Sequence, residues 1–176
     1  MRRLGIVGIW LVVIIIDGIV LPALSGLPSG LGIMVFLSAL AITFGIHRWV
    51  ISWGIVMAGA TELILGAGFG TIIGSWLVVA WVWYLLNRFL NMKPLSENDS
   101  FLAFILFILL GLGLLAIGEG ALWVITRLAY QSDLSTSTLF HLFRAPTILS
   151  IVAVELGVTL FVFRFIYSPK NLIYAQ

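Results

Sequence analysis

The sequence predicts an all-α integral membrane protein, a single membrane domain with about six transmembrane helices. Of its 176 residues 62% are hydrophobic, and only nine are basic and seven acidic, whereas an average soluble domain of this length carries about 44 charged residues. The mean hydropathy of +1.21 is typical of chains surrounded by lipid. The apolar stretches are hydrophobic on all sides instead of alternating, which favours helices over the strands of a membrane barrel.

The first apolar stretch predicts the first span. A helix needs roughly 17 to 25 apolar residues to cross a bilayer, and this stretch ends at Pro22 and the turn-rich residues 25–30 (SGLPSG). Its basic start and small residues also match a secretory signal peptide. Asp17 inside the apolar run and the continuation to Leu24 favour a helix that is retained.

Short breaks define the remaining spans. His47 and Arg48 separate the second stretch from the third, which predicts a tight helical hairpin. Residues 66–70 (GAGFG) separate the third from the fourth, and residues 91–100 (NMKPLSENDS) form the clearest polar connection. The longest stretch without a span connects the fifth to the sixth. The predicted spans cover residues 4–24, 31–46, 49–65, 71–89, 101–126 and 147–167.

The basic residues predict the orientation. With six spans, only Arg127 and Arg144 lie on the side opposite the termini. Cytoplasmic loops carry an excess of Lys and Arg, so we expect a multi-pass protein of the inner (plasma) membrane with both termini in the cytoplasm. The seven basic residues on the terminal side are Arg2, Arg3, Arg48, Arg88, Lys93, Arg164 and Lys170.

Four carboxylates lie inside predicted spans, namely Asp17, Glu62, Glu119 and Glu155. An ionised side chain near the bilayer centre costs at least roughly 2.5 to 3.5 kcal/mol, so each should face the protein interior and be protonated or partnered. The predicted topology places all four in the outer half of the membrane. They either line a shared acidic cavity for a cation, a proton relay or a basic segment, or each bonds a neighbouring helix and specifies packing. The second role is the more common one.

Glycines give a second pattern. Gly66, Gly70 and Gly74 recur every fourth residue, and Gly59 precedes them in the third span. Small residues at this spacing let helices approach closely, so we interpret these four glycines as helix-packing positions. Residues 66–70 also have the composition of a turn, which predicts a sharp corner between two helices. A dimerisation motif is the alternative.

The residues offer almost no support for catalysis. The chain has no cysteine, hence no thiolate nucleophile and no Cys-ligated metal, and His47 and His141 have no metal-ligand spacing. Phosphate-binding Gly-Lys loops, HExxH and Gly-x-Ser-x-Gly motifs are missing from the sequence. The basic residues are spread singly and form no face for nucleic acid. We therefore expect no enzyme activity, no cofactor and no metal, and we expect the lipid bilayer and other membrane helices as partners.

Residues 28–90 carry a more specific pattern. A loop with Pro28 leads to an apolar span, a basic break, and then glycines around Glu62 that end in the pair Phe69-Gly70. This arrangement resembles the rod shape-determining protein MreD family, in which a glycine-containing helix leads to an acidic residue and then to a Phe-Gly pair opening the next helix. Chain length, six-span layout and the last span are similar too. The family's usual Asp is Glu62 here, and the acidic residue expected after the proline is Ser29.

The resemblance implies a non-enzymatic membrane component of the bacterial cell-shape and elongation machinery, which binds MreC and helps to organise peptidoglycan synthesis. The MreD family is thought to share its fold with the substrate-binding subunits of energy-coupling-factor transporters. That likeness supplies the expected architecture and an alternative function, a subunit that binds a vitamin or metal ion from outside. Those subunits commonly carry an Ala-xxx-Ala face in the first helix. The first span here has no alanine before Ala23, so we favour the first interpretation.

Overall fold

The computed structural model describes residues 2–16, 31–66, 68–90, 101–130 and 146–163. Over these ranges the protein is helical, and they contain no strand. This confirms the all-α prediction for the described part of the chain. The six helices are α1 (Arg2–Ile15), α2 (Leu31–Phe44), α3 (Arg48–Leu65), α4 (Thr71–Leu90), α5 (Phe101–Tyr130) and α6 (Pro146–Phe161).

Three of the six helices have the length and composition of a membrane span. They are α3, α4 and, within α5, residues Leu102–Ala129. The other three contribute shorter apolar helical segments, Gly5–Ile15, Gly32–Phe44 and Ser150–Phe161. For the first and sixth predicted spans, residues 17–24 and 164–167 lie outside the described part of the chain. The described helices are therefore compatible with a membrane protein.

The C-terminal ends of α2 and α5 differ from the predicted boundaries by two residues or more. The helix α2 stops at Phe44 instead of residue 46, because Gly45 adopts a left-handed conformation with φ of 71° and the chain then turns into α3. The helix α5 continues to Tyr130, past the predicted end at residue 126. At that point the Thr126 hydroxyl donates a hydrogen bond of 2.7 Å to the carbonyl of Leu122, so this polar side chain is satisfied within the helix.

The helix α2 is the centre of the fold. It contacts each of the other five helices, and from residue 32 to residue 44 every side chain is buried except that of Thr43, which is half-buried. This follows from its sequence, LGIMVFLSALAITF, which is apolar on all sides. A helix with no polar face has no side to present to water, so it is accommodated in a protein interior or in lipid.

The other helices pack around α2 in an order that follows the chain. The helices α3 and α4 form a hairpin, α4 packs along α5, and α5 packs against α6. Close contacts occur at glycines. A Cβ atom at Gly54 would overlap the indole ring of Trp76, and one at Gly118 would meet side chains of both Met34 and Val79. Gly118 therefore marks the point where α2, α4 and α5 meet.

The outer surface is apolar as well. Large hydrophobic side chains are exposed on α1, α3, α4, α5 and α6, and contiguous patches of this kind are unusual on soluble proteins. A bilayer would cover them at no cost in free energy. They include Leu11, Val12, Val56, Leu63, Leu77, Trp81, Tyr84, Leu102, Leu109, Val124, Leu128, Val154, Val158 and Phe161.

We expect Gly118→Val to destabilise the protein by about 1 to 3 kcal/mol, because the added atoms overlap Met34 and Val79 in a packed core. The matched control is Gly113→Val on the same helix, since no described atom lies within 4 Å of a Cβ atom at Gly113. The free energy of unfolding in detergent micelles, measured by denaturant titration, should fall for the first variant only. Equal losses for both would show that α5 does not meet α2 and α4 at Gly118.

Candidate functional site: the Glu62 corner

The chain reverses direction between α3 and α4 in a turn that we call the Glu62 corner, residues 62–66 and 68–73. The helix α3 ends at Leu65, and the next residue, Gly66, has φ of 65° and donates its backbone N–H to the carbonyl oxygen of Glu62. Gly70, with φ of 89°, precedes the first residue of α4. A residue with a Cβ atom pays roughly 1 to 2 kcal/mol in this left-handed region, and glycine does not. The two glycines therefore allow the sharp change of direction.

The Glu62 carboxylate closes the corner. The side chain is only 1% exposed, and it accepts three backbone hydrogen bonds from the start of α4. Oε1 accepts the N–H groups of Ile72 at 2.5 Å and Ile73 at 3.0 Å, while Oε2 accepts that of Gly70 at 2.8 Å. The first N–H groups of a helix lack partners within the helix and carry the positive end of its dipole. The buried negative charge and the helix start thus stabilise each other.

The other backbone N–H groups at the start of α4 also have hydrogen-bond partners. The N–H of Thr71 donates to the carbonyl of Gly68 at 3.2 Å, and that of Gly74 donates to Gly70 at 2.9 Å, the first regular helical bond. The Thr71 hydroxyl also donates to the Gly68 carbonyl, at 2.7 Å. Every N–H group from residue 70 to residue 74 therefore has a partner supplied by the protein.

A polar contact joins the corner to the first helix. The indole N–H of Trp10 in α1 donates to Oγ1 of Thr61 at 3.3 Å. The Thr61 hydroxyl in turn donates to the carbonyl of Met57 at 2.8 Å. Because Thr61 directly precedes Glu62, α1 is tied to α3 one residue before the corner begins.

Two of the other acidic residues of the predicted spans lie on α5 and α6. Glu119 is half-buried on α5. Glu155 is half-buried on α6, beside a cleft of about 400 Å³ between that helix and the end of α1. Asp17 lies outside the described residues. In the described ranges there is no group of three or more acidic or histidine side chains placed to hold a metal ion. The cleft is lined by Ile16, Ser150, Ile151, Val154 and Glu155.

Arg127 on α5 lies over an aromatic ring of the same helix. The guanidinium carbon of Arg127 lies 5.2 Å from the centre of the Trp123 ring, one helical turn before it on α5. A guanidinium at this distance over an indole is attracted to the face of the ring. Arg144 lies outside the described residues.

The four glycines interpreted as packing positions divide into two pairs. A Cβ atom at Gly59 would be in ordinary contact with Ile73, at 3.4 Å, and one at Gly74 would be 2.7 Å from Ile125 on α5. Both are therefore sites of helix packing. At Gly66 and Gly70 no described atom lies within 4 Å of a Cβ atom, and both residues have positive φ. Their role is backbone conformation, which agrees with the predicted corner.

Sequence reasoning missed three glycines at close helix contacts. Besides Gly54 and Gly118, a Cβ atom at Gly111 would lie 2.5 Å from Leu156 of α6. Gly111 and Gly118 are seven residues apart, which places them on one face of α5. That spacing was the available signal, but it does not say which helix packs there.

The geometry of the site is that of a rigid support. Both oxygens of the Glu62 carboxylate are engaged by backbone groups, so the charge is used to hold the start of α4. What the arrangement does chemically is to fix one helix against another through direct hydrogen bonds. Comparison of the chain with family models, curated proteins and solved structures finds no match.

We expect Glu62→Leu to lower the yield of folded protein, because each buried N–H group left without a partner costs about 1 to 3 kcal/mol. Glu62→Gln should have a smaller effect and still insert. Its single carbonyl oxygen can keep the bonds from Ile72 and Ile73, while its NH₂ group opposes the N–H of Gly70. Hydrogen exchange of residues 70–74 should rise in the order wild type, Gln, Leu. Gly59→Ala, which leaves the carboxylate in place, serves as the control variant, and unchanged exchange at the corner in the Leu variant would refute this role.

Alanine substitutions at two nearby glycines should have opposite effects. Gly70→Ala should cost about 1 to 2 kcal/mol because of its positive φ. Gly59→Ala should be neutral or stabilising by up to about 1 kcal/mol, because alanine favours a helix interior over glycine and the nearest neighbour is at 3.4 Å. Thermal unfolding of the two variants in detergent distinguishes the expected loss of stability from the expected neutral or stabilising effect. If Gly59→Ala destabilised the protein and Gly70→Ala did not, the assignment of Gly70 to the turn and of Gly59 to a helix-packing position with room for a methyl group would be wrong.

Proposed function

We propose that this chain is a non-enzymatic membrane component of the bacterial cell-elongation machinery, as its resemblance to the MreD family implies. The observation that carries the proposal is the Glu62 corner. Glu62, Gly66 and Gly70 belong to the pattern that resembles the MreD family, and the same residues build this turn. The Glu62 carboxylate binds the start of α4, and the two glycines have positive φ. The described helices supply a rigid element of the kind a scaffold needs.

The proposed topology has six spans in the inner membrane with both termini in the cytoplasm. Its support is the series of six apolar helices and the concentration of basic residues on the side of the termini. Three of these helices reach span length within the described residues. We propose that α1, α2 and α6 are completed as spans by the chain that adjoins them. The fold proposed for the whole chain is that of the substrate-binding subunits of energy-coupling-factor transporters.

The proposed partners are other membrane proteins, with an MreC-type single-span protein first among them. The described surface favours such partners because its exposed side chains are mainly large and apolar on five of the six helices. Association between helices in lipid depends on close packing and a few polar contacts. A partner helix is therefore better matched to this surface than a soluble substrate.

A second candidate function is a substrate-binding subunit of an energy-coupling-factor-type transporter. The observation that favours it is the cleft of about 400 Å³ beside Glu155, since small-molecule sites are mostly apolar with a few polar groups and of about 300 to 1,000 Å³. A cationic ligand would suit a carboxylate at the edge of such a cleft. The first helix argues against this function, because its sequence lacks an alanine before Ala23.

Depletion of the protein in its own host tests the first proposal. Cells should lose their rod shape, and tagged protein purified in mild detergent should bring down an MreC-type single-span protein, whereas an unrelated tagged multi-span protein should not. Expression of Gly59→Ala should restore the shape, and Glu62→Leu should not, although the two changes are close together on α3. Normal shape, combined with tight binding of a vitamin or metal ion and co-purification of an ATP-driven coupling module, would favour the transporter subunit instead.

A further inference from the structure

The turn between α3 and α4 is apolar throughout. Residues 63–70 read LILGAGFG and contain no charged or polar side chain. Its described tip exposes Leu63 at 76%, Ile64 at 58% and Phe69 at 73%. Turns at a water surface are usually rich in Asn, Asp, Ser and Pro, and the connection after α4, residues 91–100 (NMKPLSENDS), has that composition. The two ends of α4 are therefore suited to different surroundings.

The backbone N–H groups of Gly66 and of residues 70–73 have partners within the protein. The N–H groups of residues 70–73 donate to the Glu62 carboxylate or to the Gly68 carbonyl, and the N–H of Gly66 donates to the Glu62 carbonyl. At a helix start in water, solvent can accept these bonds at little cost. In hydrocarbon each unsatisfied group costs several kcal/mol, so they must be satisfied within the protein. A buried carboxylate in this position meets that requirement.

The lengths of the two helices give an independent indication. The helix α3 has 18 residues from the exposed Arg48 to Leu65, or about 27 Å at 1.5 Å per residue. On α4, Arg88 lies 18 positions after Gly70, again about 27 Å along the axis. The hydrocarbon core of a bilayer is about 30 Å thick. With both arginines at one headgroup layer, the turn reaches just short of the opposite boundary.

We infer that the tip of the Glu62 corner lies among the lipid acyl chains of the distal leaflet and does not emerge into water, with Leu63, Ile64 and Phe69 in contact with lipid. Lipid is the occupant favoured over a protein, because three side chains supply only a fraction of the roughly 800 Å² per partner of a typical protein interface. The inference concerns depth in the bilayer and is independent of the proposed function.

The natural chain has no cysteine, so single-cysteine variants can be spin-labelled directly. The full-length protein would be reconstituted into phosphatidylcholine and phosphatidylglycerol vesicles with a nitroxide at Phe69→Cys or Leu63→Cys. The matched references are Leu77→Cys, an exposed position farther along α4, and Ser96→Cys in the polar connection. Electron paramagnetic resonance then measures collision of each label with oxygen, which concentrates in lipid, and with a water-soluble nickel chelate.

We expect labels at Phe69 and Leu63 to have an oxygen-to-nickel collision ratio close to that at Leu77 and at least several-fold above that at Ser96. A ratio close to that at Ser96 would overturn the inference in favour of a water-exposed turn. Exclusion of both reagents would overturn it in favour of a covering protein, such as a second copy of the chain. Because Phe69 and Leu63 are both exposed, two labels that report the same depth exclude a local effect of either substitution.

Discussion

The hydrogen bonds from the start of α4 to the Glu62 carboxylate are the interaction on which the arrangement of the other helices depends. They fix where α4 begins relative to the end of α3. With that register set, Trp76 lies against Gly54 of α3, and Gly74 lies against Ile125 of α5. Through α5, the same register extends to α2 and α6. One buried charge is thereby used for geometry, and the positive end of the α4 dipole and three N–H groups offset the cost of burying it.

Hydrophobicity does not separate the inside of this protein from its outside. The side chains of α2 are apolar and buried, while those on the outer faces of α4, α5 and α6 are apolar and exposed. What distinguishes the contacts between helices is close approach at small residues, as at Gly111 and Gly118 on α5. In lipid, helix association depends on van der Waals packing and a few hydrogen bonds, because burial of an apolar side chain gains little over contact with acyl chains.

A corner with internally satisfied hydrogen bonds also explains why α3 and α4 can be joined by so short and so apolar a turn. Gly66 and Gly70 supply the backbone conformation, and Glu62 replaces the water that a helix start usually binds. Thr61 and its contact with Trp10 attach α1 to the same region. The two helices of the hairpin are thus joined by hydrogen bonds between protein groups, which suits a protein whose proposed role is to hold membrane partners in a defined arrangement.

The sequence by itself determined the helical class, an apolar surface compatible with a membrane and the corner at residues 66–70, because composition reports on hydrophobicity and local breaks report on chain reversal. Only the tertiary structure decided what each unusual residue does. Gly59, Gly66, Gly70 and Gly74 follow one another at intervals of seven, four and four residues in the sequence, yet the two middle glycines set backbone angles and the outer two lie close to side chains of other helices. Likewise, nothing local to Glu62 indicates that its partners are backbone groups eight to eleven residues ahead. Spacing along a helix fixes which face a residue occupies, whereas its partner depends on how the helices are arranged in space.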